Sequence, residues 1–276
     1  MHASKGCSRS LALGEAELER HYMEGAVSKA VTKSFSSVRS PEFRKPAAWL
    51  AVSLTGAAVL LLATLHVLSP EFSPSWRVIS EYAFGHYAWV LSLMFLCMGS
   101  SSWALAAAIW PEVHTTSGKA GVWLLLIAGL GGVMASYFDI THDVGHAIAG
   151  FLGVIGFPIA AMLLSVALGR TENWRGASSG LLLLANLSWI SVVLLVATLA
   201  IMTMQMMRLT GGHLPQHAPK VLPPGVMALD GWADRLIVLT NSAWVLLAAW
   251  QAIQMRRSPD GGDVRPANSV ESTGGR

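Results

Sequence analysis

Residues 180–207 read GLLLLANLSWISVVLLVATLAIMTMQMM, a stretch without one charged side chain. A helix needs about 20 mostly apolar residues to cross the roughly 30 Å hydrocarbon layer of a bilayer. Lipid offers the backbone no hydrogen-bond partner, so such a run is expected to be a helix that satisfies its own peptide groups. This one is long enough to tilt within the bilayer or to protrude from it.

Five further stretches have the same character. Together they predict six membrane spans, at residues 47–68, 88–110, 120–138, 147–168, 180–207 and 234–255. The chain of 276 residues is 53% hydrophobic and only 13% charged, whereas a soluble domain must cover its core with polar groups. No stretch alternates in the way of a barrel strand. The predicted fold class is therefore all-α: a polytopic membrane protein with a bundle of six transmembrane helices.

The regions outside the bundle differ in composition from the spans. Residues 1–46 mix Ser, Lys, Glu and Ala, and predict a cytoplasmic, largely disordered N-terminal tail. Residues 256–276 are rich in Gly, Pro and Ser, and predict a disordered cytoplasmic C-terminal tail. The first span lies too far from the N-terminus, and is too long, to be a cleaved signal sequence. One six-span domain, residues 47–255, is expected between the tails.

The basic residues predict the orientation. Cytoplasmic loops carry an excess of Lys and Arg. If the N-terminus is cytoplasmic, the inner side holds 15 of the 19 basic residues, and only Arg77, Arg208, Lys220 and Arg235 fall on the outer side. Both termini of a multi-pass protein in the plasma (inner) membrane are then cytoplasmic. The basic residues flank spans, where they meet anionic lipid, so membrane lipid is the expected partner, nucleic acid is not, and no protein partner is indicated.

Most histidine and acidic side chains close to the spans fall on the side that is poor in Lys and Arg. They are Glu81, His86, Asp139, His142, Asp143, His146, His213, His217, Asp230 and Asp234. In a chain with so few charges, this one-sided distribution predicts a polar pocket that faces outward.

A metal site is one interpretation of the segment between the third and fourth spans. His142 and His146 are four residues apart, so both imidazoles would lie on one face if the fourth helix starts near Thr141. That spacing suits two ligands of one zinc ion, with Asp139 as a carboxylate ligand. The alternative is a network of interfacial polar groups in which Asp139 or Thr141 caps the helix.

Glu81 and Arg235 are the candidate catalytic residues. A carboxylate near the membrane surface needs a partner, and Arg235, at the start of the sixth span, is the expected one. Alternatively, Glu81 is a general base beside a metal-bound water, and Arg235 holds an anionic lipid headgroup.

Three short motifs give the chain a resemblance. They are Ile79-Ser80-Glu81-Tyr82-Ala83 before the second span, Asp139 followed by His146 at the third and fourth spans, and Gly231-x-x-x-Arg235 at the start of the sixth. With six spans, this arrangement resembles the bacterial and archaeal membrane family catalogued as domain of unknown function 998. The resemblance covers residues 47–255 and implies a six-helix fold without an assigned activity.

Three functions follow as hypotheses. The first is a membrane protein of unassigned activity whose outward pocket binds lipid, an ion or a partner. The second is a zinc-dependent hydrolase or transferase acting on outer-leaflet lipid, with water at the open zinc position. The third is electron transfer by a b-type haem held between two histidines, such as His66 and His146. Whether the protein is an enzyme is left open.

Overall fold

The computed structural model describes residues 41–213 and 221–255, and in these ranges it contains helices and no strand. The α-helices are α1 (Pro41–Leu68), α2 (Ala88–Ile109), α3 (Thr116–Tyr137), α4 (Asp143–Gly150), α5 (Gly156–Gly169), α6 (Arg175–Leu209) and α7 (Asp230–Gln254). A π turn, Phe151–Ile155, joins α4 to α5 into one span. Short 3₁₀ turns cover Ile79–Phe84, Trp110–Glu112 and Glu172–Trp174.

Within the described residues, six helices are long and apolar enough to cross a membrane, which confirms the predicted spans. The largest difference in bounds is at α1, which begins at Pro41, six residues before the predicted span. The fixed φ of proline suits the first position of a helix, so the helix extends into the polar segment. The other residues of the two predicted tails, and His217, lie outside the described ranges.

The spans form a ring in the order α1, α2, α3, α5, α6, α7, and α7 packs back against α1. One end of this ring holds the described residues 69–87, 138–142, 210–213 and 221–229, and is called the long-loop end. The other, the short-loop end, holds 110–115 and 170–174. The half-span α4, at the long-loop end, packs extensively on α3, whereas α5 packs on both α3 and α6.

Glycines allow the helices to approach closely. A Cβ atom on Gly99 of α2 would lie 2.5 Å from the carbonyl oxygen of Gly129 on α3. A Cβ atom on Gly131 of α3 would lie 2.6 Å from the backbone nitrogen of Gly153 in the π turn. Small residues are the usual means of helix contact in lipid, because no water drives association there.

The π turn precedes Pro158 in the same span. Proline has no N–H to donate to the carbonyl group four residues earlier, here Val154, and its ring crowds that carbonyl. A wider turn relieves this crowding. The span can therefore change direction between α4 and α5.

One buried cation fastens the short-loop end. Arg44, near the start of α1, forms an ion pair of 2.9 Å with Glu112 after α2, and donates to the carbonyl oxygen of Met255 after α7 (3.1 Å). The ends of three neighbouring spans are thereby held together.

Candidate functional site

Arg235 is the centre of a buried hydrogen-bond network at the long-loop end. Its Nε donates to Nε2 of His66 on α1 (2.7 Å), and the His66 Nδ1–H donates to the carbonyl oxygen of Leu62 (2.6 Å). Each ring nitrogen of His66 therefore has a protein partner, and the tautomer with the proton on Nδ1 is fixed.

The same guanidinium holds the 69–87 segment against α7. Nη1 of Arg235 donates to the carbonyl oxygens of Arg77 (2.8 Å) and Gly231 (2.9 Å), and Nη2 donates to the hydroxyl of Tyr82 (3.1 Å). All three guanidinium nitrogens of Arg235 are thus bound to protein acceptors. The predicted role of Arg235 as a holder of lipid headgroups gains no support from this geometry.

Position 231, one helical turn before Arg235, has room for glycine only. A Cβ atom at position 231 would overlap the carbonyl oxygen of Pro74 and lie 2.7 Å from that of Arg77. The backbone of the 69–87 segment rests directly on the first turn of α7, where only glycine leaves room. The Gly-x-x-x-Arg spacing therefore combines a close backbone approach with an anchor.

Asp234 adds a second attachment between the same elements. Its Oδ2 accepts a hydrogen bond of 2.7 Å from the backbone N–H of Ile79, the first residue of the 3₁₀ turn. The sequence did not predict this contact, because Ile79 and Asp234 are far apart in the chain and come together only when the helices pack.

The prediction that Glu81 forms an ion pair with Arg235 is wrong. Glu81 is paired with Arg77 at 3.0 Å, and both side chains are largely buried. Arg77 lies four residues earlier in the same segment, so it reaches the carboxylate with less loss of chain freedom than a residue from another helix. Arg235 finds uncharged acceptors instead.

Burial raises the pKa of Glu81, and the nearby Asp230 carboxylate adds to the rise, whereas Arg77 opposes it. One oxygen, Oε2, has no hydrogen-bond partner among the described residues. A carboxylate so placed is chemically capable of taking up a proton. Its role as a general base stays a prediction, because no substrate position is defined beside it.

Asp230, the first residue of α7, is fully buried. Neither of its carboxylate oxygens has a hydrogen-bond partner in the described part of the chain. Thr198 on α6 is a neighbouring polar side chain, but its hydroxyl donates to the carbonyl oxygen of Leu195 (3.1 Å). The positive end of the α7 helix dipole stabilises the carboxylate in this position.

A cavity of about 280 Å³ lies inside the ring of helices. Its wall is mostly apolar and contains residues from all seven described α-helices, from the π turn and from positions 78–80 of the 69–87 segment. Asp234 and His146 line it on the side of the long-loop end. Towards the middle of the bundle the wall includes Thr55, whose buried hydroxyl has no hydrogen-bond partner among the described residues.

His146 bridges the 138–142 segment and the cavity. Its Nδ1 lies 3.1 Å from the carbonyl oxygen of Phe138. A carbonyl oxygen only accepts, so Nδ1 carries the proton, and Nε2 of the neutral ring has a free lone pair.

The three predicted zinc ligands divide between two places. Asp139 Oδ1 accepts from the backbone N–H of Thr141 (2.9 Å), from its hydroxyl (2.5 Å), and from Nδ1 of the exposed His142 (3.1 Å). The Thr141 hydrogen bond is the main reason that the pKa of Asp139 is lowered. His146 lines the cavity instead. Across residues 41–213 and 221–255, no three His, Cys, Asp or Glu side chains form a group that could hold a metal ion, so the zinc site stays a prediction.

The haem hypothesis has little geometric support. An axial ligand needs a free ring nitrogen, but His66 donates from Nδ1 and accepts at Nε2 within the Arg235 network. His146 alone of the two named histidines keeps a nitrogen free.

Comparison with known proteins supplies a family but no activity. Residues 48–251 match the family described as "Protein of unknown function (DUF998)". Neither the curated proteins nor the solved structures contain a significant match. The family match covers most of the chain and all six spans, so this six-helix membrane protein belongs to the DUF998 family.

Proposed function

We propose that this protein binds a lipid-like molecule in the cavity within its helix ring. The observation that carries the proposal is the distribution of groups in the cavity wall, which is apolar except for Asp234, His146 and Ser80 at one end and a few short polar side chains near the middle. Pockets that bind small amphipathic molecules combine apolar walls with a few polar groups that fix orientation.

The packing of the fourth span supports access from the side. The α5 half packs on α6, whereas the α4 half packs extensively on α3 alone. Leu195 and Leu199 of α6 line the cavity, and Leu199 is 45% exposed. A gap between α4 and α6 would let a chain pass between the cavity and the bilayer.

The buried network at the long-loop end then has a supporting role. Arg235 and Asp234 fasten the 69–87 segment to α7. They thereby fix residues 78–80, which close the cavity at the long-loop end. A rigid segment at this end positions the polar end of a ligand without taking part in a reaction.

For the same proposal we place the protein in the plasma (inner) membrane with both termini in the cytoplasm. The long-loop end then faces outward, because 15 of the 19 Lys and Arg residues fall on the other side. The ligand would belong to the outer leaflet.

The test is the lipid content of the purified full-length protein by native mass spectrometry. Gly153 lines the cavity, and its added Cβ would meet its nearest described neighbours only at 4.0 Å. The Cβ atom of Gly153→Leu therefore fits, and the rest of the leucine side chain should occupy part of the cavity. Gly56→Leu is the matched control, because Gly56 is a helical glycine outside the cavity wall with no described atom within 4 Å of an added Cβ.

We expect the wild type and Gly56→Leu to retain a bound lipid that Gly153→Leu has lost. Equal lipid content in all three proteins, with each one folded, would contradict the proposed function.

A further inference from the structure

The two ionisable side chains in the cavity wall come from two spans that α6 separates in the ring. Asp234 is on α7 and His146 is on α4. Both side chains line the same cavity on the side of the long-loop end. A ligand whose polar end reaches this end of the cavity therefore meets both groups.

Asp234 offers an acceptor to that ligand. Its Oδ2 is used by the Ile79 N–H, whereas Oδ1 accepts no hydrogen bond from the described residues. Oδ1 is not fully enclosed by protein atoms, as expected of an atom that borders the cavity. The carboxylate therefore requires a donor from whatever fills the cavity.

His146 offers an acceptor as well. Its proton is committed to the Phe138 carbonyl oxygen, so the neutral ring turns an unprotonated Nε2 towards other partners. A hydroxyl group has one proton and can donate to one of these two acceptors, an amino group has enough protons for both, and an ester or ether oxygen can donate to neither.

An anionic head is disfavoured at the same place. Among the described residues that line the cavity there is no Lys or Arg. The neighbouring Arg235 is turned into its own network with His66, Tyr82 and two carbonyl oxygens. A phosphate or carboxylate would meet the Asp234 carboxylate without a cation between them, at a low local dielectric constant where such repulsion is strong.

The size of the cavity limits the rest of the ligand. About 280 Å³ lies just below the usual range of small-molecule sites. It holds a head and the first part of one chain rather than two acyl chains, and the remainder would extend between α4 and α6.

From these contacts we infer that the ligand is a single-chain lipid whose head is a hydrogen-bond donor, a long-chain alcohol or amine, bound between Asp234 and His146. This inference rests on the proposed function and specifies its ligand class.

The experiment measures binding of four probes that share a sixteen-carbon acyl or alkyl chain: hexadecanol, hexadecylamine, palmitate and methyl palmitate. Delipidated full-length protein is kept in lauryldimethylamine oxide, a detergent whose head has no donor to compete. Native mass spectrometry at about pH 8, above the range in which imidazoles usually titrate, reports the bound fraction of each probe. Wild type, Asp234→Asn and Gly153→Leu are compared.

Asp234→Asn is the informative variant because its amide oxygen can still accept from the Ile79 N–H, so the attachment to the 3₁₀ turn survives. Its amide nitrogen places a hydrogen-bond donor where the wild-type carboxylate presents the acceptor Oδ1 to the ligand. We expect the wild type to bind the alcohol or the amine at least tenfold more tightly than palmitate or the ester. Asp234→Asn should lose that preference, and Gly153→Leu should bind none of the four.

Two results would overturn the inference. One is palmitate or the ester binding as tightly as the alcohol and the amine, and the other is an unchanged preference in Asp234→Asn. If no probe binds to the wild type, the donor inference also fails, and the lipid that co-purifies with wild type but not with Gly153→Leu then decides whether the proposed function survives.

Discussion

Substitution of Gly231 by alanine tests the attachment of the 69–87 segment to α7. The new methyl group would overlap the carbonyl oxygen of Pro74 and lie 2.7 Å from that of Arg77 and 2.9 Å from the backbone nitrogen of Trp76. All three atoms belong to the backbone, so none can turn away as a flexible side chain would. The segment must move, and its hydrogen bond to Arg235 must lengthen.

The expected cost follows from these contacts. Overpacking of a well-packed site costs about 1–3 kcal/mol. A weakened hydrogen bond from the charged Arg235 donor to the Arg77 carbonyl oxygen adds about 1 kcal/mol. The better helix propensity of alanine returns up to about 1 kcal/mol. A net loss of about 1–3 kcal/mol should lower the Tm by about 2–12 °C in a protein of this size.

The assay is thermal unfolding in detergent, followed by tryptophan fluorescence at one fixed scan rate, because unfolding of such proteins is often irreversible. Gly56→Ala is the matched control. Gly56 is also helical, but an added Cβ there meets no described atom within 4 Å. Helix propensity should therefore raise the Tm of this control by a few degrees.

The two variants should change the Tm in opposite directions. A Gly231→Ala protein as stable as Gly56→Ala would refute the close approach of the segment to α7. The account of the Gly-x-x-x-Arg spacing would be refuted with it.

Four further outcomes are expected. Tyr82→Phe removes the acceptor of Arg235 Nη2 and should cost about 1–2 kcal/mol in the same thermal assay; an unchanged Tm would mean that this hydrogen bond contributes nothing. Thr55→Val replaces a buried hydroxyl without a described partner and should raise stability by about 1 kcal/mol, whereas a loss would indicate that the hydroxyl is bonded. The pKa of Glu81 is raised above its ordinary value of 4.5, so the folded protein holds this proton more tightly than the unfolded chain, and stability falls as pH rises from about 4.5 through the raised pKa; Glu81→Gln should reduce that fall in Tm, and parallel pH profiles would contradict the cause. His86 and His114 are exposed at the long-loop and short-loop ends, so in intact cells a membrane-impermeant maleimide should label His86→Cys and not His114→Cys, in a background with Cys7 and Cys97 replaced by Ser; the reverse pattern would invert the orientation.

The number and type of spans could be predicted because each is a run of about 20 apolar residues, and that signal needs no knowledge of tertiary structure. The bounds could not be predicted as closely at Pro41, where the helix extends into a polar segment. The sequence also identified Gly231 and Arg235 as motif residues, but it did not identify the residues that they contact.

The partners depend on how the helices pack. Glu81 was assigned to Arg235 because both lie near one surface, but Arg77 is only four residues away and forms the pair. The use of both His66 nitrogens, and the Asp234 bond to Ile79, require segments far apart in sequence to be placed together. The cavity is a volume that residues from seven α-helices, the π turn and the 69–87 segment leave unfilled, so no local pattern encodes it.

The π turn between α4 and α5 gives this span a particular response to changes in length. A π turn accommodates one residue more than an α-helical turn. Deletion of one residue from Phe151–Ile155 could therefore be absorbed as regular helix, without breaking the span. Each residue of an α-helix turns the chain by about 100°, so the deletion would rotate His146 out of the cavity wall while the rest of the bundle stayed in register. A chain shortened by one residue here would keep six spans and lose the imidazole from the cavity wall.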